Sequence, residues 1–302
     1  MGVVIKKWIQ LGVFFCFAVM GCTHTRQTEQ PLPKEVLETR VVPPFNSVNV
    51  RGDISLDLSS APQNNVRIRG DLRDVAHVRV LVEQGHLFIK ADRGYPKYKP
   101  ITAHVQAAVL HALTFEGTGN LLAQDLNTPI LTLKTHTSGA VFVRGNIGLE
   151  HLEVKGRGNV RIEGINSRNL DILMQGKPKI TLVGMARLKR LRFGGSGILS
   201  MYWIDTPELW IFGKGQGSVE LAGVAAFLHV NLKEKAHFYG QYLRTQKAVI
   251  HTQNNAVAEV QVLRSQTTLA EQNSMIYFYN KPQFQADFMG HNGAVLDNTQ
   301  WR

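Results

Sequence analysis

From Leu131 to Phe278 apolar and polar residues alternate in short runs, and the runs return about every 19 or 20 residues. The copies read LTLKTHTSGAVFVRG (131–145), LEVKGRGNVRIEG (152–164), LDILMQGKPKITLVG (170–184) and LKRLRFGGSGILSMYW (188–203). They continue with LWIFGKGQGSVELAG (209–223), LHVNLKEKAHFYGQ (228–241), AVIHTQNNAVAEVQV (248–262) and the weaker TLAEQNSMIYFYN (268–280). Alternation with a period of two marks strands. A fixed repeat of this length marks stacked units, because one unit cannot bury its own apolar face. Each copy therefore predicts one coil of a parallel β-helix: strand, turn, strand, connector. An antiparallel sandwich of hairpins is the alternative, and such folds seldom keep so even a period.

The register follows from the alternation, since successive side chains of a strand point to opposite faces. The first strands put Leu131/Leu133, Leu152/Val154, Leu170/Ile172, Leu191/Phe193, Leu209/Ile211, Leu228/Val230 and Ala248/Ile250 inward. The second strands do so with Val141/Val143, Val160/Ile162, Ile180/Leu182, Leu199/Met201, Val219/Leu221, Ala258/Val260 and Ile276/Phe278. Stacked about 4.8 Å apart, these residues predict continuous apolar ladders. Gly119, Gly139, Gly158, Gly197 and Gly217 recur at the turns, where a glycine's tolerance of positive φ suits a repeated bend. Lys177–Pro178, Lys235–Ala236 and Asn255–Ala256 fill the same place in other coils.

The first residues carry an address. Lys6 and Lys7 precede an apolar run from Trp8 to Met20, too short for a spanning anchor of about 20 residues. The run ends in Val19-Met20-Gly21-Cys22, which resembles the bacterial lipoprotein signal. That resemblance implies cleavage before Cys22, acylation of its sulfur and new amino group with three chains, and attachment to the membrane through that lipid. Thr23, in place of an aspartate, implies passage to an outer membrane where the cell has one. Cys22 would then be the single cysteine of the mature chain, so no disulfide is expected. Residues 22–40 are polar, contain two prolines and lack a period, which predicts a flexible tether.

The 302 residues carry a formal charge of +11; loss of residues 1–21 removes Lys6 and Lys7 and no acid, leaving +9. Such a surplus favours anionic polysaccharide or acidic envelope proteins as partners. Nucleic acid is excluded by the expected compartment. The segments expected are thus signal 1–21, lipidated Cys22 and tether to 40, N-terminal β coils and cap 41–123, regular coils 124–280, and tail or cap 281–302. Residues 41–60 and 281–302 are the expected end caps, because an open coil end is an unpaired edge.

Between Val41 and Ala123 the β pattern is less regular, with a hairpin at Gln84-Gly85 and a loop over Arg93–Pro100. The order Phe45-Asn-Ser-Val-Asn-Val-Arg-Gly, Asp57-Leu, Val66-Arg-Ile-Arg-Gly-Asp and Glu83-Gln-Gly-His-Leu-Phe-Ile stands here. With the later Gly117-Thr-Gly-Asn and Gly195-Ser-Gly-Ile turns, it resembles the bacterial family named putative auto-transporter adhesin, head GIN domain, over residues 42–280. The resemblance implies a right-handed, single-stranded parallel β-helix of pectin lyase-like shape, a role in adhesion, and no catalytic residues to carry over.

Candidate chemistry is sparse. Asp71 and Asp74 form the closest acidic pair of the N-terminal region and read as a solvated edge; Asp53 and Asp57 share a solvent face. His229, His237 and His251 could meet on neighbouring coils, yet none has strong metal-ligand spacing. Ser138 and Ser196 lack a Gly-x-Ser-x-Gly elbow, and no cofactor fingerprint follows a strand and opens a helix. Catalysis and cofactors are not expected. The outward positions are more suggestive. Trp210 is expected between Arg192 one coil earlier and His229 one coil later, and Tyr202, Tyr277 and Tyr279 also point outward. Arg192, Tyr202, Trp210 and His229 are therefore the candidate ligand surface, since exposed aromatics beside cations hold sugar rings or protein partners. A tail folding back from 281–302 would instead cover them. The readings left are an anchored, non-catalytic binding or adhesion module and a scaffolding envelope lipoprotein, with a polysaccharide-degrading enzyme far behind.

Overall fold

The computed structural model describes residues 35–92, 94 and 97–300, all within one compact unit, Pro33–Arg302. The signal segment, Cys22 and the tether as far as residue 34 lie outside the described residues. Every residue of the buried core, Phe45 to Phe278, belongs to this unit, so the body folds on its own apolar interior.

The chain opens with β1 (Glu35–Arg40), β2 (Ser47–Gly52), β3 (Ile54–Ser60), β4 (Asn65–Asp71) and a single helical turn, α1 (Leu72–Val75). The hairpin β5 (Val78–Glu83) and β6 (His86–Ala91), then β7 (Ile101–Ala107) and β8 (Ala112–Gly117), follow. Eight long strands succeed them: β9 (Leu121–Thr137), β10 (Val141–Gly156), β11 (Asn159–Gly176), β12 (Lys179–Gly195), β13 (Ile198–Gly215), β14 (Ser218–Glu234), β15 (His237–Gln253) and β16 (Val257–Glu271). The chain closes with β17 (Met275–Phe278), β18 (Phe284–Gly290) and β19 (Ala294–Asp297). The result is a parallel β-solenoid of about ten coils. The second strand of one copy, its connector and the first strand of the next fuse into one bent strand, and the chain breaks only at the short turns.

Both expected ladders run through the stack. One passes Leu121, Val141, Val160, Ile180, Leu199, Val219, Phe238, Ala258, Ile276 and Val295. The other passes Leu133, Leu152, Ile172, Leu191, Ile211, Val230 and Ile250 before turning polar at Thr268. All these residues up to Thr268 and Ile276 are buried. Full burial of each aliphatic side chain contributes about 1.5–3 kcal/mol. Toward the C-terminal end hydroxyls replace methyls inside: Thr252 pairs with Ser274 at 2.9 Å, and Thr268 donates to Asp287 at 2.6 Å.

Four expectations are corrected. Residues 35–40 are not tether but strand β1, antiparallel to β4, where Arg69 pairs with Glu35 at 2.6 Å. Residues 45–60 are not a cap. They lie inside the stack, with β2 between β6 and β8 and β3 between β7 and β9; β1, β4 and the β5 strand close that end instead. The segment 281–302 neither folds back nor covers Trp210. Its strands β18 and β19 pair in parallel with β16 and β17 and add one more coil. The turn glycines, finally, are not the residues with positive φ. Gly156, Gly176, Gly195 and Gly215, two positions earlier, have φ from +89° to +101°. Gly119 and Gly139 are small because a Cβ there would lie 2.1 Å from a carbonyl oxygen of the coil beneath, Ile54 or Gly119. Close stacking, not backbone handedness, demands them.

Candidate functional site

The outer side of the first-strand sheet, between residues 188 and 233, gathers most of the candidate surface. Alternation places Trp210 and Phe212 outward between buried Leu209 and Ile211. Parallel register then stacks them against neighbouring coils: Trp210 faces Arg190 on one side and His229 on the other, while Phe212 faces Arg192 and Asn231. The Trp210 and His229 rings lie 3.6 Å apart and 4° from parallel. Phe227 stacks on His229 at 4.5 Å, and Trp210 and Phe212 are 6.2 Å apart at 11°. His229 Nε2 is 3.4 Å from Glu208, which fixes the imidazole plane.

Beside this aromatic plate runs an open groove of about 500 Å³, lined by Gln175, Arg192, Phe212, Lys214, Asn231 and Lys233. It has no acidic lining residue. Lys214 reaches Glu234 at 3.5 Å, whereas Arg192 and Lys233 form no ion pair among the described residues. Gly194 and Gly213 keep the groove floor low. A Cβ at Gly213 would meet the Phe193 ring at 2.3 Å, so that ring fills the interior left by the missing side chain.

The expected site residues thus divide. Arg192, Trp210 and His229 share one face, but Arg192 sits opposite Phe212; Arg190 is the residue one coil before Trp210. The reason is a coil of 20 residues at this point, which moves the pairing by two positions. Tyr202 lies across the bend of β13, on the other sheet, where burial and then Glu220 hold its hydroxyl above the usual tyrosine range. Tyr277 and Tyr279 are half-buried at the last coils, and Tyr279 donates to Glu259 at 2.8 Å. Phe212, Lys214 and Lys233 were missed by sequence reasoning, although the alternation that exposes Trp210 exposes Phe212 and Lys214 as well.

The other chemical candidates are tied up structurally. Asp71 and Asp74 are buried rather than solvated. Asp71 caps α1 by accepting from the Arg73 backbone at 3.1 Å and pairs with its guanidinium, and that pairing holds the carboxyl below the usual range. Asp74 accepts from the backbone N–H groups of Tyr98 and Lys99 at 3.1 and 2.8 Å. The three histidines do not converge: His229 faces Val249, His251 faces Asn231, and His237 faces Ser218. His237 and His251 each meet a glutamate at 3.0 Å, Glu259 and Glu271. No group of three or more metal-ligating side chains occurs among the described residues.

Fold and surface together define a class: a β-solenoid whose interior is packing and whose outward aromatic and cationic side chains form an open plate. Within that class the chain belongs to the family described as putative auto-transporter adhesin, head GIN domain, whose model matches residues 44–224. Membership points to a binding role at the cell surface or envelope. Among curated proteins, none matches this chain. Solved structures of similar fold include a putative adhesin from Parabacteroides distasonis, 14% identical, with 87% of this chain and 97% of that chain covered and a TM-score of 0.47. A putative adhesin from Parabacteroides merdae is 13% identical over 87% of this chain and 96% of that one, with a TM-score of 0.44. A putative lipid binding protein from Parabacteroides distasonis is 12% identical over 87% and 96%, with a TM-score of 0.43. No helix among the described residues is long and apolar enough to cross a membrane.

Proposed function

We propose that this protein is a lipid-anchored envelope adhesin without catalytic activity, held to the membrane through Cys22, whose Trp210 face takes anionic polysaccharide. One observation carries the ligand reading: the plate of Trp210, His229 and Phe212 borders a groove whose charged lining residues, Arg192, Lys214 and Lys233, are all cations. Aromatic faces offer flat apolar area to the C–H side of a sugar ring. The cations would meet carboxylate or sulfate groups, and the open shape lets a polymer pass through rather than end in a pocket. The basic surplus of the chain adds long-range attraction that falls with salt. The anchor rests on the sequence Val19-Met20-Gly21-Cys22.

The test is titration of the Pro33–Arg302 body with anionic polysaccharides at two salt concentrations. Trp210→Ala should leave thermal unfolding near the parent and weaken binding about thirtyfold, as loss of a central aromatic anchor commonly does. Arg192→Ala with Lys233→Ala should flatten the salt dependence. Undiminished affinity in Trp210→Ala moves the site elsewhere. Binding to an envelope protein but to no polysaccharide replaces the ligand class.

A further inference from the structure

Each long strand bends sharply between its two halves, and the bend needs a left-handed residue. Gly145, Gly164, Gly184 and Gly223 supply it, with φ of +158°, +80°, +139° and +136°. In β13 the register puts Trp203 at that place, since Met201 pairs with Leu182 and Ile204 with Gly223. Trp203 has φ +70°. For a bulky L-residue this backbone is a true outlier and costs about 1–2 kcal/mol. Packing does not offset the cost: the indole is 70% exposed and stacks on no ring among the described residues. Strain held without packing points to a use for the side chain.

Its neighbours on successive coils share its character. Met185 precedes it with 63% exposure and Tyr242 follows with 64%; Tyr202 and Val224 also stand exposed along the same bend. Arg168, Arg187 and Arg244 flank the row, and none is in an ion pair among the described residues. Asp205 is the one acid beside them in the shallow cleft at Met185 and Arg187. The row follows the outside of a bend, so it is convex. A convex ridge cannot lie flat beneath a sugar ring as the Trp210 plate can, and it offers no groove for a peptide.

We propose that this ridge is a membrane-interface contact that takes the anionic headgroup surface of a bilayer. Tryptophan and tyrosine settle at headgroup level because their rings are apolar with one polar edge. Methionine and valine reach the acyl boundary. The unpaired arginines meet lipid phosphates and give preference for a negative surface. The ridge and the Trp210 plate occupy different parts of the coil, so contact at one leaves the other open.

The test uses the unlipidated Pro33–Arg302 body and vesicles of phosphatidylcholine alone or with one third phosphatidylglycerol. The parent should float with the anionic vesicles and not with the neutral ones. Trp203→Gly should unfold at or above the parent's temperature, because glycine relieves the strained φ, yet partition about tenfold more weakly. Trp203→Asn, which also tolerates a left-handed backbone, should match it and guards against a loosened bend. In a Trp210→Phe, Trp301→Phe background Trp203 is the only tryptophan left, and brominated acyl chains should quench it. Vesicle binding by Trp203→Gly equal to the parent's, or absence of quenching, overturns the proposal. Trp203→Gly that weakens a soluble anionic polysaccharide or self-association, with no vesicle effect, assigns the ridge to that partner instead and overturns it as well.

Discussion

Leu182 is the cleanest probe of the coil interior. It is 1% exposed on β12 and paired between Ile162 and Met201, while Thr181 beside it points outward between Arg161 and Ser200. Leu182→Ala removes three carbons from a dry interior. At about 0.8 kcal/mol per methylene the transfer loss is about 2.4 kcal/mol. The cavity adds to it, because the rigid coils above and below relax only in part, so a total of about 3–4 kcal/mol is expected. Thr181→Ala should stay within about 0.5 kcal/mol, as for ordinary surface changes. In urea the first variant should unfold about 1 M earlier than the second, using a slope of about 3 kcal/mol/M. Stacked coils contact only their neighbours. Hydrogen exchange in Leu182→Ala should therefore accelerate most in β11, β12 and β13. Equal urea midpoints for the two variants would refute the inside–outside register on which both surface assignments depend.

At the bend, Gly184→Ala would set a Cβ 2.2 Å from the Ile165 carbonyl oxygen, whereas a Cβ on Gly194 meets nothing nearer than 3.9 Å. The first should lower the melting temperature by several degrees and the second leave it within a degree or two, about 0.5 kcal/mol or less. Glu259 accepts from His237 and then Tyr279, and the His237 bond chiefly holds its carboxyl below the ordinary value of 4.5. A carboxylate with a depressed folded-state pKa contributes stability above the unfolded value, and that share is lost as pH falls through the folded one. Melting curves should thus decline below about pH 4.5 in the parent and decline less in Glu259→Gln; parallel curves would remove the pair from the account. For the anchor, Cys22→Ser should abolish labelling by a fatty-acid analogue in cells and release the protein from membranes, and persistent labelling would sink the lipoprotein reading.

The regular coils were legible because two periods coincide in the sequence: alternation of two, repeated every 19 or 20 residues. Leu152 and Ile172 could be placed one above the other without any knowledge of distance. The N-terminal order was not legible, since β2 pairs with β6 and β8 rather than with its sequence neighbours, and period gives no information on which free edge a strand will take. The added coil of β18 hid for a different reason. Its inward positions, Gln285 and Asp287, continue the polar ladder begun by Gln266 and Thr268, so FQADFMG lacks the apolar stripe that marked the other copies. Part of the candidate surface was read correctly, because a stacked pair such as Trp210 and His229 needs only correct coil length. Arg192 was displaced by two positions where the coil lengthens. Trp203 carried a signal that went unused: aligned by coil, it interrupts a column of glycines.

The architecture explains why such a chain can carry two contact surfaces without conflict. Stability resides in the inward ladders, which Leu182, Ile211 and Val219 extend regardless of what their outward neighbours are. Outward positions on a coil are consequently free to drift toward a ligand, constrained only by cross-coil pairs such as Lys214 with Glu234. Trp210 draws on that freedom at no backbone cost, stacked in an ordinary strand. Trp203 does not, since its place at the bend should belong to glycine. A residue retained against its own backbone preference, with no packing to offset the strain, argues for a contact outside the molecule more strongly than exposure alone does.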